Sequence, residues 1–129
     1  VGVKALSITA WWAWAIVHAG KDIENRTWGT SYRGPLLIHA SKKVLLEDWD
    51  DVRDIIEYAP SVHHPAVAIP QVPPAGGIVG RCVLADCIRD HDSPWFFGPY
   101  GFVLRDVEPV EFTPLRGHLG LFDVEWTPQ

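Results

Sequence analysis

The sequence predicts an α+β domain in which two helices near the front flank a small, closed β-sheet. Three observations carry that prediction. An alternating run feeds a tryptophan-rich helical segment, a second stretch repeats its apolar residues every three to four positions, and the back half is a series of short β-branched and aromatic runs set between turn residues. With 129 residues, 47% of them hydrophobic, the chain suffices for one core and is too short for two, so residues 1–129 read as a single domain.

Val3-Lys4-Ala5-Leu6-Ser7-Ile8 alternates as a strand does, Thr9 is placed to cap a helix over residues 10–19, and Gly20 is placed to stop it. That helix carries Trp11, Trp12, Trp14, Ile16 and Val17, apolar nearly all round, the pattern of a buried helix or one facing a groove. Residues 21–28 are polar with isolated apolar side chains and read as an extended segment beside a cleft. Tyr32-Arg33-Gly34-Pro35 is a turn signal ahead of a buried strand over 36–40, where His39 is expected as a buried, hydrogen-bonded imidazole. Leu45, Trp49, Val52 and Ile56 then mark one face of an amphipathic helix whose other faces carry Glu47, Asp48, Asp50, Asp51 and Asp54. Prolines at 60, 65, 70, 73 and 74 make residues 59–75 irregular. Residues 77–88, 102–107, 110–112 and 119–126 read as strands.

A net charge of -5 argues against a protein that grips nucleic acid by bulk electrostatics. The charge is uneven, however. Residues 1–43 hold Lys4, Lys21, Arg26, Arg33, Lys42 and Lys43 against Asp22 and Glu24, a net +4, which leaves -9 for the remainder, much of it on the second helix. On charge alone an unevenly solvated surface is the simpler account, and an anionic partner is the other. Cys82 and Cys87 have no further thiol to extend a metal pattern and read as buried thiols of a reducing compartment. The opening residues lack a secretory leader, so the cytoplasm is the expected location. No run of about 18 apolar residues is present to suggest a membrane span. His63-His64 lack partners at ligand spacing, and Asp90-His91-Asp92 fit a solvated turn as well as a weak cation site. No zinc pattern, glycine-rich phosphate loop or nucleophile elbow is found, and neither metal nor cofactor is expected.

Leu6-Ser7-Ile8, the tryptophan-rich helix, Gly20-Lys21, Glu24, Arg26 and Trp28, and then Arg33-Gly34-Pro35-Leu36-Leu37-Ile38-His39-Ala40 together resemble the front half of an ASCH domain, a member of the PUA-like superfamily. Residues 80–87, Trp95-Phe96, Gly98-Pro99-Tyr100-Gly101 and Gly117-His118-Leu119-Gly120-Leu121-Phe122 resemble that family's later strands in the same order, so the likeness covers nearly the whole chain. Gly20, Lys21, Glu24 and Arg26 form its most characteristic element. The resemblance implies a PUA-like β-barrel of five or six strands with flanking α-helices, and a cleft that takes RNA or a modified base or nucleoside. It does not fix one activity, since family members include RNA-binding modules, proteins associated with ribonuclease activity, and hydrolases of the acyl amide of N4-acetylcytidine.

Lys21, Glu24 and Arg26 offer donors for phosphate or carbonyl oxygens and an acceptor for an amino group, the vocabulary of base and backbone recognition. Arg33 and Trp11 are placed with them as binding residues. Trp95 and Tyr100, in a loop bracketed by Pro94, Gly98 and Pro99, are candidates for base stacking, with plugging of the barrel end as the alternative. Trp12, Trp14 and Trp28 are assigned to the core. Three functions follow: binding of RNA or a modified nucleoside; hydrolysis with Glu24 as general base and Lys21 or Arg26 stabilising an oxyanion or phosphorane; or protein interaction through a vestigial cleft. A Lys-Glu-Arg ion-pair network that only holds the cleft wall is the plainer reading of the motif.

Two departures from the family pattern bear on these readings. Ala10-Trp11 stands where family members usually have Gln-Pro, which suggests a larger aromatic surface at the mouth of the cleft and altered ligand selection. Glu24 occupies the position at which the amidohydrolase group has a nucleophilic threonine, and a carboxylate cannot take that role in the same way.

Overall fold

The computed structural model describes residues 2–59 and 68–127. In chain order these form β1 (Gly2–Ile8), α1 (Ala10–His18), β2 (Ile23–Arg26), β3 (Gly34–Ala40), α2 (Leu46–Tyr58), β4 (Gly77–Ile88), β5 (Tyr100–Pro114) and β6 (Leu121–Glu125). The six strands make one mixed sheet in the order β2-β5-β4-β3-β1-β6, in which only β1 and β3 run parallel. The expected α+β class and the two helices are present. Among the described residues no helix is long and apolar enough to cross a membrane. Pro60, Pro65 and the His63-His64 pair lie outside the described residues.

The expected closed barrel is not formed. β2 pairs only with β5, and β6 only with β1, so two edges of the sheet carry no shared ladder. The reason is length. β2 has four residues, and β6 reaches along β1 only as far as Leu6, so the Ser7 carbonyl lies past its end. A side chain spans the gap instead: Arg26 on β2 donates through Nη2 to the Ser7 carbonyl oxygen at 2.8 Å. The seam where a barrel would close is therefore bridged by a guanidinium.

β1 illustrates how one strand serves two layers. Leu6 and Ile8 point to the α1 side, where they meet Ala13, Ile16, Ile38, Leu84 and Phe102, while Ala5 points to the opposite face with Leu37, Ile78 and Val124. α1 is packed on both sides, which explains its apolar circumference. Ala13 and Ile16 meet the sheet, while Trp11 and Trp14 meet Trp49 and Val52 of α2. The acidic helix thus docks on α1, with Glu47, Asp51 and Asp54 exposed.

Several local expectations change. Thr9 makes no side-chain cap on α1; its Oγ1 donates to Asp48 Oδ2 at 2.7 Å and ties the start of α1 to α2. Gly20 does end the helix, in a left-handed conformation at φ 74°, and the chain folds back so that the Lys21 amide donates to the Ala15 carbonyl at 3.1 Å. The two runs expected at 102–107 and 110–112 are one long strand, β5, despite Pro109. Between Val83↔Arg105 and Arg81↔Glu108 the β5 side carries one extra residue, and Asp106 there adopts φ 55°. This bulge and the next register shift, at Gly80↔Pro109, are where a strand tolerates a proline.

Both cysteines are free thiols. Cys82 is buried beside Leu36 and Leu84, and burial pushes its thiol up to about 12 because the thiolate would have no solvation there. Cys87 is half-buried. At pH 8 a thiol reagent is expected to modify Cys87 alone in the native protein and both cysteines after unfolding; prompt modification of Cys82 in the native state would contradict the packing described. Gly77 offers a second check, because a Cβ there would lie 2.5 Å from the Thr113 carbonyl oxygen and 2.7 Å from the Phe112 ring. Gly77→Ala is expected to lower stability by about 1–3 kcal/mol in urea denaturation. Gly2→Ala, whose Cβ meets nothing within 4 Å, should leave the midpoint in place.

Candidate functional site

The motif Lys21, Glu24 and Arg26 is assembled by two local structures. Glu24 and Arg26 are two residues apart on β2, so they project from the same face of the strand. Lys21 reaches them from the turn that ends α1, where Gly20 reverses the chain. Its Nζ donates to Glu24 Oε1 at 2.7 Å and to the Ile23 carbonyl, and it lies 5.3 Å from the Trp12 ring centroid. Arg26 Nη2 pairs with Glu24 Oε2 at 3.1 Å. One carboxylate thus takes a cation on each oxygen, the lysine at 2% exposure and the glutamate at 7%.

Above this network is a cavity of 370 Å³ lined by Ser7, Thr9, Glu24, Asn25, Arg26 and Trp28, together with Ile8, Thr27 and Gly98. A second cavity, of 960 Å³, lies on the other side of Ser7, Thr9 and Arg26, which line both. Its wall includes Lys42, Lys43 and Arg116, with His39 and His118. Both volumes fall in the range of about 300–1,000 Å³ usual for small-molecule sites.

Arg26 sits at the junction. Both of its protein contacts, to Glu24 and to the Ser7 carbonyl, use Nη2. Among the described residues its Nε is buried without a hydrogen-bond partner. The guanidinium is therefore oriented through Nη2 and retains donor capacity that the described protein groups do not use.

The remaining sequence candidates are distributed differently. Trp11 is buried, with its ring 4.6 Å from Trp49 and 5.8 Å from Trp14, so the Ala10-Trp11 pair packs the interface between the helices and does not enlarge the mouth of the cleft. Trp95 is 2% exposed and meets Trp12 edge-on, beneath the cleft and with no face free for stacking. Tyr100 lies under Arg89, 5.0 Å from ring centroid to guanidinium carbon, and against Gly29, outside both cavities. Arg33 braces its own turn by donating to the Thr30 and Tyr32 carbonyls at 2.8 Å each, and it pairs with Asp86 at 3.5 Å. Lys21 lies under the site and lines neither cavity.

Other residues take the places those candidates leave. Trp28, assigned from sequence to the core, meets Phe102 edge-on at 5.2 Å and also forms part of the cavity wall. Asn25 fastens the 95–98 loop: its Nδ2 donates to the Trp95 carbonyl at 2.9 Å, and its Oδ1 accepts from the Phe97 and Gly98 amides at 2.7 and 3.0 Å. That clamp leaves Phe97 61% exposed beside Trp12, next to Gly98 at the cavity rim. The aromatic run 95–97 signals a ring at the cleft, but alternation along a loop does not say which one faces outward.

No group of three His, Cys, Asp or Glu residues that could hold a metal ion occurs among the described residues. Residues 6–114 match the family model described as the ASCH domain. No curated protein matches the chain.

The Lys21–Glu24 pair is expected to be structural as well as functional. Removing one partner of a buried pair leaves the other uncompensated, so Lys21→Met should lower stability by about 3–5 kcal/mol. The exposed Lys4–Asp123 pair, at 2.9 Å, supplies the contrast, with Lys4→Met expected within about 1 kcal/mol of the parent. Urea unfolding of both variants checks the ordering, and equal effects would remove Lys21 from its structural role.

Proposed function

Because the chain belongs to the ASCH domain family, we propose that it binds RNA or a modified nucleoside in the cavity above Glu24 and Arg26. The observation that carries this reading is Arg26 itself. It is held through Nη2, keeps an unpartnered Nε among the described residues, and lines a cavity whose wall also holds a carboxylate and an indole. A guanidinium suits a carbonyl or phosphate oxygen, Glu24 accepts from an exocyclic amino group, and Trp28 offers apolar surface to a base. Lys21 is a positioning residue that holds the Glu24 side chain in place through its hydrogen bond to Oε1.

The geometry also bears on the hydrolytic alternative. Glu24 Oε1 accepts from Lys21 and Oε2 lies in an ion pair with Arg26 at 3.1 Å, which suits a fixed acceptor better than a base that must take up a proton. RNA incubated with the protein is accordingly expected to be recovered uncleaved. Cleavage abolished by Glu24→Gln would reverse this assignment.

Binding is tested by titrating short single-stranded RNAs and a panel of modified nucleosides, followed through tryptophan fluorescence. Arg26→Lys retains the charge and loses the planar fork, and it should weaken binding by about 1.5–3 kcal/mol, on the order of 10- to 100-fold. Trp28→Ala should cost about 1–3 kcal/mol if a base lies against that ring. Few phosphates can reach so compact a site, so the logarithm of affinity should fall only shallowly with the logarithm of salt. Undiminished binding by both variants would place the ligand elsewhere.

A further inference from the structure

We propose that Ser7 and His39 form a nucleophilic pair for acyl transfer, open to the larger cavity and directed at carboxylic esters that carry an anionic group. The proposal requires no nucleic acid and no contact with Glu24; of Glu24 and Arg26, only Arg26 lines the larger cavity as well as the smaller. Ser7 and His39 are register partners in the parallel pairing of β1 with β3. Ser7 Oγ lies 3.0 Å from His39 Nδ1, and His39 Nε2 lies 2.6 Å from the Leu115 carbonyl oxygen. A carbonyl oxygen only accepts, so Nε2 carries a proton; in the Nε2–H tautomer Nδ1 then presents its lone pair and the Ser7 hydroxyl donates to it. The result is a hydroxyl, a neutral base and an acceptor that orients the base, the order required of an activated nucleophile.

Access matches the chemistry. His39 is buried while Ser7 is half-buried and lines both cavities, so the base is shielded and the hydroxyl meets the substrate. Gly117 packs closely on the pair, where a Cβ would lie 2.8 Å from both Ser7 Oγ and His39 Cε1 and displace them. Among the described residues the larger cavity is lined by Arg26, Lys42, Lys43 and Arg116 and by no Asp or Glu, which selects a substrate bearing a carboxylate, phosphate or sulfonate. In the reaction Ser7 Oγ bonds to the ester carbonyl carbon as its proton passes to Nδ1, and the Leu115 carbonyl holds the resulting imidazolium through Nε2–H. The C–O bond to the alcohol breaks, and the alcohol leaves with the proton from Nδ1. Water, deprotonated by the same nitrogen, then cleaves the acyl-serine and yields the carboxylic acid and free Ser7.

The test uses the full chain with 4-acetoxybenzenesulfonate as the anionic ester, p-nitrophenyl acetate as the neutral one, and a fluorophosphonate probe located by peptide mass spectrometry. The probe is expected on Ser7, and the anionic ester should turn over about 10-fold faster than the neutral one after correction for their uncatalysed rates. Ser7→Ala and His39→Gln should each lower turnover by on the order of 10²-fold or more. Lys42→Glu combined with Arg116→Glu should remove the preference for the anion. Ser7→Cys keeps a nucleophile of similar size and should form an acetyl adduct where Ser7→Ala forms none, a difference that a purely structural hydrogen bond would not produce. Equal turnover by the parent and a folded Ser7→Ala, or a probe adduct only at other residues, would overturn the proposal.

Discussion

A carboxylate held between two cations inside an apolar wall joins parts of the chain that backbone hydrogen bonds leave separate. Lys21 comes from the end of α1, Glu24 from β2, and Arg26 continues from β2 to the Ser7 carbonyl of β1. Withdrawing each of these charges from water costs several kcal/mol even after relaxation, so such an arrangement persists only when its hydrogen bonds are nearly complete. Here both carboxylate oxygens and the lysine are engaged, and the unsatisfied capacity falls on Arg26. The network also accounts for the open sheet. With β2 only four residues long, an ionic bridge takes the position a longer strand would have filled with a ladder.

That replacement decides the electrostatics of the site. A closed ladder would bury its polar groups in one another, whereas the open seam leaves a guanidinium lining both cavities. The formal charge of -5 says little about that location, because Glu47, Asp51 and Asp54 lie on the exposed surface of α2, which packs on α1. Lys42, Lys43 and Arg116 are gathered instead on the second cavity. Over distances longer than about 8–10 Å the exposed acidic charges are largely screened at physiological salt, so the local set governs what enters.

The parts of this arrangement that were legible in the sequence are local ones. Both helices and the strand at β3 follow from periodicity within short windows, and the Lys21, Glu24 and Arg26 motif from the likeness to the ASCH family. The aromatic assignments did not transfer in the same way. An apolar helix such as α1 has two covered faces, and nothing in its composition says that Trp11 meets Trp49 and that neither meets the cleft. Similarly, Trp95 and Phe97 differ by two positions in a loop, and the Asn25 clamp that turns one inward and leaves the other exposed spans about 70 residues of chain. The closed barrel was expected from the number of strands, but closure depends on how far each strand extends, and β2 and β6 are both too short.

Ser7 and His39 show the limit most directly. Each stands between apolar neighbours in its strand, and His39 taken alone is most simply read as a buried, hydrogen-bonded imidazole. They meet because β1 and β3 are parallel neighbours in a register that places one opposite the other, a relation 32 residues apart that only the crossover through α1 and β2 creates. The same crossover puts Arg26 against the Ser7 carbonyl, so the hydroxyl and the carbonyl of one residue contact the base on one side and the bridging cation on the other. A ligand that draws on Arg26 therefore acts on the strand that carries Ser7, and the two cavities are joined through one backbone position.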